Sequence, residues 1–235
     1  MFLPLLLAAL AGMTHVPAGS YEQLYGKGER VAVRAFSLDR DAVTRGQYQS
    51  FVRGHASWQR DAVGRDMADA GYLADWRSPR LAGGALDAPV TGVSWHAARA
   101  FCESHGKRLP TVAEWEYAAA ASEHVRDASR DPAFRARVLE AYAKRGSGAR
   151  AGTSTANVYG VRGLHDRVWE WTLDFNPAAT AHRHGSAGHE HHAYCASAAL
   201  GAADPSNYPA FMRYAVRSGL NERSTLSALG FRCAA

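Results

Sequence analysis

The stretch PVTGVSWHAARAFCESHGKRLPTVAEWEYAAAA, residues 89–121, holds two helix starts and one helix stop. Ser94 is a good N-cap because its hydroxyl can accept from the free amide groups of a first turn. Trp95, Ala98, Phe101 and Cys102 then recur at helical spacing until Gly106 supplies the C-terminal stop. Pro110 keeps that segment from continuing as helix, and Thr111 with Glu114 forms a capping box that opens a second helix with Trp115, Ala118 and Ala119 as its apolar stripe. Glu114 and Glu116 are two nearby carboxylates and so candidates for acid/base work. Glu114 is already used by the cap, however, and residues two apart on a helix do not face each other.

Upstream, THVPAGSY (14–21) and the alternating VAVRAFSL (31–38) predict short strands, with Val31, Val33, Ala35 and Ser37 on one face and Ala32, Arg34, Phe36 and Leu38 on the other. Thr44 and Gln47 form another capping box and predict a helix to about Arg53, with Tyr48 and Phe51 on one side. The stretch from Gly54 to Ala88 is rich in Gly, Ala, Asp and Arg, which predicts an irregular loop pinned by Trp58, Tyr72 and Trp76. Downstream, the Arg- and Ala-rich run from Ser122 to Ala151 predicts a helical excursion followed by the flexible GSGARAG (146–152). No repeat or low-complexity linker divides the chain, so residues 12–235 read as one domain.

The chain has 235 residues, 47% of them hydrophobic and 21% charged, which is ordinary globular composition. Its net charge of +5 comes from scattered arginines. Without a basic block interleaved with aromatics, the reading is a solvated basic surface and no nucleic-acid partner. Residues 1–11 fit the apolar core and small-residue end of a secretory signal peptide cut near Ala11, although only the amino terminus supplies positive charge before it. The expectation is a secreted or periplasmic protein with no membrane association after cleavage. Three cysteines in an exported chain suggest one disulfide and one leftover thiol.

THVPAGSY, FSLDRDAVTRGQYQSFV, the 89–121 stretch, NVYGVRGLHDRVWEW (157–171) and the terminal LGFRCA (229–234) resemble, in order, the successive motifs of the formylglycine-generating enzyme (sulfatase-modifying factor) family. That resemblance implies an α+β fold with little regular secondary structure, related to the C-type lectin fold. It assigns Trp95, Trp115, Trp169 and Trp171 to the scaffold, where large amphipathic rings pin irregular backbone. It also implies a disulfide between Cys102 and Cys233. A second family disulfide is missing, with Ala119 and about Tyr214 at its positions.

In catalytic members of the family, two cysteines a few residues apart bind copper(I), and oxygen converts a substrate cysteine into formylglycine. Cys195 corresponds to the second of these, whereas Glu190 falls near the first. Around Cys195 lies HRHGSAGHEHHAYC (182–195), with His182, His184, His189, His191 and His192. Imidazole and thiolate together suit copper or zinc. The candidate metal site is therefore Cys195 with His189, His191 and His192, set against a solvated histidine loop beside an incidental thiol. Calcium is disfavoured, because Asp166 and Arg167 replace the family's Gly and Asn and a cation at a ligand position opposes a hard metal. Asn157 and Glu170 remain as oxygens. Arg213 and Arg217, in RYAVRS, match basic positions lining the family's substrate groove and equally fit structural ion pairs.

Three functions remain open. One is a copper-assisted, oxygen-dependent oxidase acting on a cysteine or other protein residue, with Cys195 as catalytic ligand. Another is a non-catalytic accessory protein for an exported copper enzyme. The insertion CASAALGAADPSNYPAFMRYAVRS (195–218) resembles the branch found beside copper nitrite reductases. The third is a lectin-like binding module.

Overall fold

The capping residues set the helix starts. Thr44 and Thr111 each form both hydrogen bonds of a capping box, opening α1 (Arg45–Gly54) and α3 (Val112–Ala119), and the Ser94 hydroxyl accepts from Ala97 N–H to open α2 (Trp95–Ser104). Asp131 caps α4 (Pro132–Ala143), with proline in the first turn where no amide partner is lost. Asn207 caps α5 (Tyr208–Ser218) in the same way. The computed structural model describes residues 12–24, 29–144, 151–175 and 204–235. The proposed signal peptide, most of the GSGARAG segment and the histidine-rich stretch with Cys195 lie outside these residues.

Among the described residues six short strands make three two-stranded sheets. β1 (Met13–Val16) pairs antiparallel with β4 (Phe36–Asp39), and β2 (Gly19–Glu22) pairs antiparallel with β3 (Arg30–Val33). β5 (Trp169–Glu170) lies parallel to β6 (Leu229–Gly230). The run 31–38 departs from the alternation expected of it. The chain leaves one sheet at Val33 and enters the other at Phe36, both buried, while exposed Arg34 and Ala35 make the crossing. Of the loop expected from Gly54 to Ala88, Ala56–Trp58 forms one 3-10 turn, while residues 59–88 contain no helix or strand and are pinned as expected: the Tyr72 hydroxyl lies 2.7 Å from that of Tyr48, and Trp76 packs edge-on to Tyr48. No helix among the described residues is long and apolar enough to cross a membrane.

Two apolar clusters form the core. One gathers α1, α2, the 68–90 loop, Trp171 and Phe231, and the other gathers β1, β3, β4, α3 and Ala234. The C-terminal tail runs between them. Its Phe231 and Cys233 carbonyls accept from Val43 and Asp39 N–H, and Ala234 exchanges two backbone hydrogen bonds with Arg108. A Cβ at Gly230 would sit 2.4 Å from the Val90 carbonyl oxygen, so only glycine lets the tail pass. Cys102 on α2 bonds covalently to Cys233, with Cα atoms 5.6 Å apart. The tryptophans clasp the scaffold: Trp95 Nε1 donates to the Thr172 carbonyl and Trp171 Nε1 to the Val93 carbonyl, tying 93–95 to 171–172 in both directions.

Candidate functional site

α3, α4 and α5, with the end of β2, enclose a cleft of about 270 Å³. Its apolar lining includes Val112, Ala119 and Ala120 from α3 and its end, Phe134 and Val138 from α4, and Ala210 from α5. At one end stands a charged cluster. Arg213 and Arg217 are four residues apart on α5 and so share a face, and both reach Glu116 on α3. Arg213 donates through Nε to both Glu116 oxygens at 2.9 and 3.0 Å and through Nη2 to Oε2 at 2.6 Å. Arg217 donates through Nη1 to Oε1 at 2.5 Å. Both guanidinium groups lie over the Trp115 ring, 5.6 and 5.1 Å from its centre, where the ring's negative face favours them.

Burial alone would raise the pKa of Glu116. The Arg213 and Arg217 charges and hydrogen bonds outweigh it and hold the carboxyl down at about 2. Burial likewise opposes the charge of Arg213, and Glu116 more than restores it. A carboxyl whose pKa falls on folding from 4.5 to about 2 contributes stability that is complete above its unfolded value and disappears as pH drops toward the folded one. The contribution is on the order of 3 kcal/mol. The stability difference between the native protein and Glu116→Gln should therefore shrink as pH falls from about 5 to about 2. Urea unfolding at several pH values measures it, and a constant difference would refute the pairing.

A polar chain extends from the cluster. Arg213 Nη1 donates to the Tyr142 hydroxyl at 2.9 Å, and that hydroxyl lies 3.4 Å from His165 Nδ1. His165 Nε2 lies 2.9 Å from the Ala119 carbonyl oxygen. A carbonyl can only accept, so Nε2 carries the proton. Tyr21, on the facing strand, has its phenol pKa raised by burial and by the Glu116 charge.

The sequence candidates separate into three groups. Arg213 and Arg217 come together and line the cleft. Ala119 and Tyr214, at the positions of the missing disulfide, line the same cleft. Cys195, His189, His191 and His192 fall outside the described residues. Glu114 serves its capping box and a two-pronged pair with Arg108. Asn157 is used up in its own turn, donating to the Ala118 carbonyl and accepting from Tyr159 and Val161 N–H. Arg167 binds the Ser154 and Thr153 hydroxyls and pairs with Asp166 at 3.5 Å. Glu170 is buried against Trp115 and Arg232. Among the described residues, no group of three or more His, Cys, Asp or Glu side chains is placed to hold a metal. Glu116, in the sequence one of two candidate acid/base carboxylates, is instead the hub of an ion-pair cluster, and Tyr142 and His165 join it with no local sequence signal for that role. Phe134, Val138 and Tyr142 at four-residue spacing on α4 are the signal that could have found one cleft wall.

The sequence profile of the sulfatase-modifying factor enzyme 1-like domain matches residues 7–235. This chain belongs to that family. Its relatives include, in Mus musculus, an inactive C-alpha-formylglycine-generating enzyme 2, at 27% identity over 94% of this chain and 85% of the relative. The formylglycine-generating enzyme of Mus musculus is 26% identical over 97% of this chain and 76% of its own length. Active and inactive members of the sulfatase-modifying factor family thus stand at nearly equal distance, and similarity alone assigns no activity. The structure of PvdO from Pseudomonas aeruginosa matches with a TM-score of 0.50 at 19% identity, covering 94% of this chain and 93% of that one. It shares the family's mixed helix and sheet fold.

Proposed function

We propose that this chain is an exported accessory member of the family, which engages a polypeptide partner through the α3–α4–α5 cleft and does not generate formylglycine. The observation that carries this reading is the Cys102–Cys233 disulfide. The chain has three cysteines, and the disulfide takes two of them. One thiol, Cys195, is left. A copper(I) centre of two thiolates, which the resemblance implies for catalytic members, does not fit that donor set. A buried disulfide also belongs in an oxidising compartment, which supports a secreted or periplasmic location. The relation to C-type lectins implied by the resemblance favours a binding role as well.

The donors that fit a soft metal are Cys195 and the imidazoles of His189, His191 and His192. On this reading they bind a single copper(I), and the partner is an exported copper enzyme. The retained thiol beside histidines also favours a second reading, in which Cys195 serves a copper-assisted oxidase. Anaerobic copper(I) titration of the disulfide-formed protein and of Cys195→Ser, followed by aerobic incubation with a cysteine peptide, separates the two. The accessory reading expects one tightly bound copper that is lost in the variant, with the peptide thiol unchanged. Conversion of the peptide cysteine to an aldehyde would overturn it in favour of the oxidase. Binding indifferent to Cys195 would remove copper from the function.

A further inference from the structure

We infer that the cleft binds a carboxylate carried on an apolar body, with the carboxylate seated on Arg217 and the body against α3 and α4. The first support is the charge count at the cleft. Three of its charged lining residues are matched one to one: Glu22 pairs with Arg130 at 2.6 Å, Asp127 with Arg30 at 3.8 Å, and Arg135 with Asp204. At the far end a single carboxylate, Glu116, serves two arginines. Among the described residues the cluster therefore keeps one excess positive charge in a largely desolvated place. Asp174 acts near Tyr21, but its carboxylate accepts from Val112 N–H and forms no ion pair with either arginine.

The second support is the donor count. Arg213 has all three nitrogens engaged, with Nε and Nη2 on Glu116 and Nη1 on Tyr142. Arg217 gives Glu116 one Nη1 donor, and its Nε and Nη2 make no hydrogen bond to a described residue. Trp115 backs its guanidinium, so the plane is held in one orientation while these donors remain to be used. A carboxylate matches such a fork, and a neutral group matches it poorly. The third support is the rest of the lining. Val112, Ala119, Ala120, Phe134, Val138 and Ala210 give the cleft an apolar wall next to the charge, which is the usual make-up of a small-ligand site: mostly apolar, with a few polar groups that fix orientation. A volume of about 270 Å³ accommodates one or two side chains.

This inference deepens the accessory reading and rests on it only in expecting the carboxylate to be an acidic side chain beside an apolar residue of a partner. The free acid 4-phenylbutyrate and its amide, and the blocked peptides acetyl-Glu-Phe-amide and acetyl-Gln-Phe-amide, are titrated calorimetrically into the full chain. Each acidic probe should bind more tightly than its neutral analogue by roughly tenfold or more, the value of a charge-assisted hydrogen bond. Arg217→Gln, whose amide can still donate to Glu116, should remove that preference. Ala210→Phe, which fills the cleft one turn along α5 from Arg213 and keeps every charged group, should abolish binding of all four probes and keeps the test decisive if Arg217→Gln does not fold. Equal binding of acid and amide, binding unchanged by Ala210→Phe, or no binding of either acidic probe at millimolar concentration would overturn the inference. Binding of 4-phenylbutyrate without the peptide would leave the carboxylate site standing and overturn the polypeptide-partner reading instead.

Discussion

Replacing Cys102 and Cys233 together by alanine is expected to cost the fold about 5 kcal/mol, the loop-closure value for a crosslink that spans 131 positions. Alanine is the right substitute because both cysteines are fully buried and a serine hydroxyl there would need a partner. Most of the cost arises in the unfolded chain, which regains the freedom to separate α2 from its C-terminus. The native tail should stay in place, since Asp39, Val43 and Arg108 hold it through backbone hydrogen bonds independent of the sulfur atoms. Urea unfolding should accordingly show a lower midpoint together with a steeper slope, because the uncrosslinked unfolded chain exposes more surface. A loss below about 1 kcal/mol would mean that the unfolded chain keeps these ends together without the bond.

The features readable in the sequence are those decided within a few residues. Thr44 with Gln47, Ser94 with Ala97, and Thr111 with Glu114 are contacts across three positions, and all three helices start where those residues place them. The 31–38 run went astray because its two halves choose different partners, β2 and β1, and nothing local tells Val33 and Phe36 that they will face inward from separate sheets. Helix α5 was not anticipated although Asn207 and Pro209 mark its start. Its pattern is amphipathic, but its inward face carries Arg213 and Arg217 in place of an apolar stripe, so the pattern alone would turn the wrong face to the core. Those arginines are tolerable inside only because Glu116, 97 and 101 positions away, is also inside. Partner choice over that distance has no local signature. The Cys102–Cys233 pairing was likewise a product of family resemblance, since spacing alone cannot pair three cysteines.

The same logic of buried charge predicts the second large effect. Arg232 and Glu170 are completely buried as a pair. Every donor of Arg232 has an acceptor: Nε and Nη2 reach the two Glu170 oxygens at 2.8 Å each, Nη2 also reaches the Arg162 carbonyl, and Nη1 reaches the carbonyls of Asp39 and Arg40. Glu170 Oε2 additionally accepts from Trp115 Nε1 at 2.7 Å. One guanidinium thus ties the tail to β4, to the 162 turn and, through Glu170, to α3. Glu170→Gln puts an amide between Arg232 and Trp115, where only acceptors are wanted, and leaves a buried positive charge unpaired. Arg232→Met strands the carboxylate and takes a donor from three carbonyl oxygens, of which, among the described residues, only that of Arg40 keeps another, from Arg162 N–H. Each single change should cost about 3 to 5 kcal/mol, with Arg232→Met the more severe. The double variant should cost clearly less than the sum, because once one charge is gone the other is better removed too. It should not return to native stability, since the carbonyls of Asp39, Arg40 and Arg162 each still lose the Arg232 donor, and only that of Arg40 keeps its other one. Denaturant unfolding of the four proteins in the cycle tests this, and strict additivity would contradict it by showing that the two residues act independently.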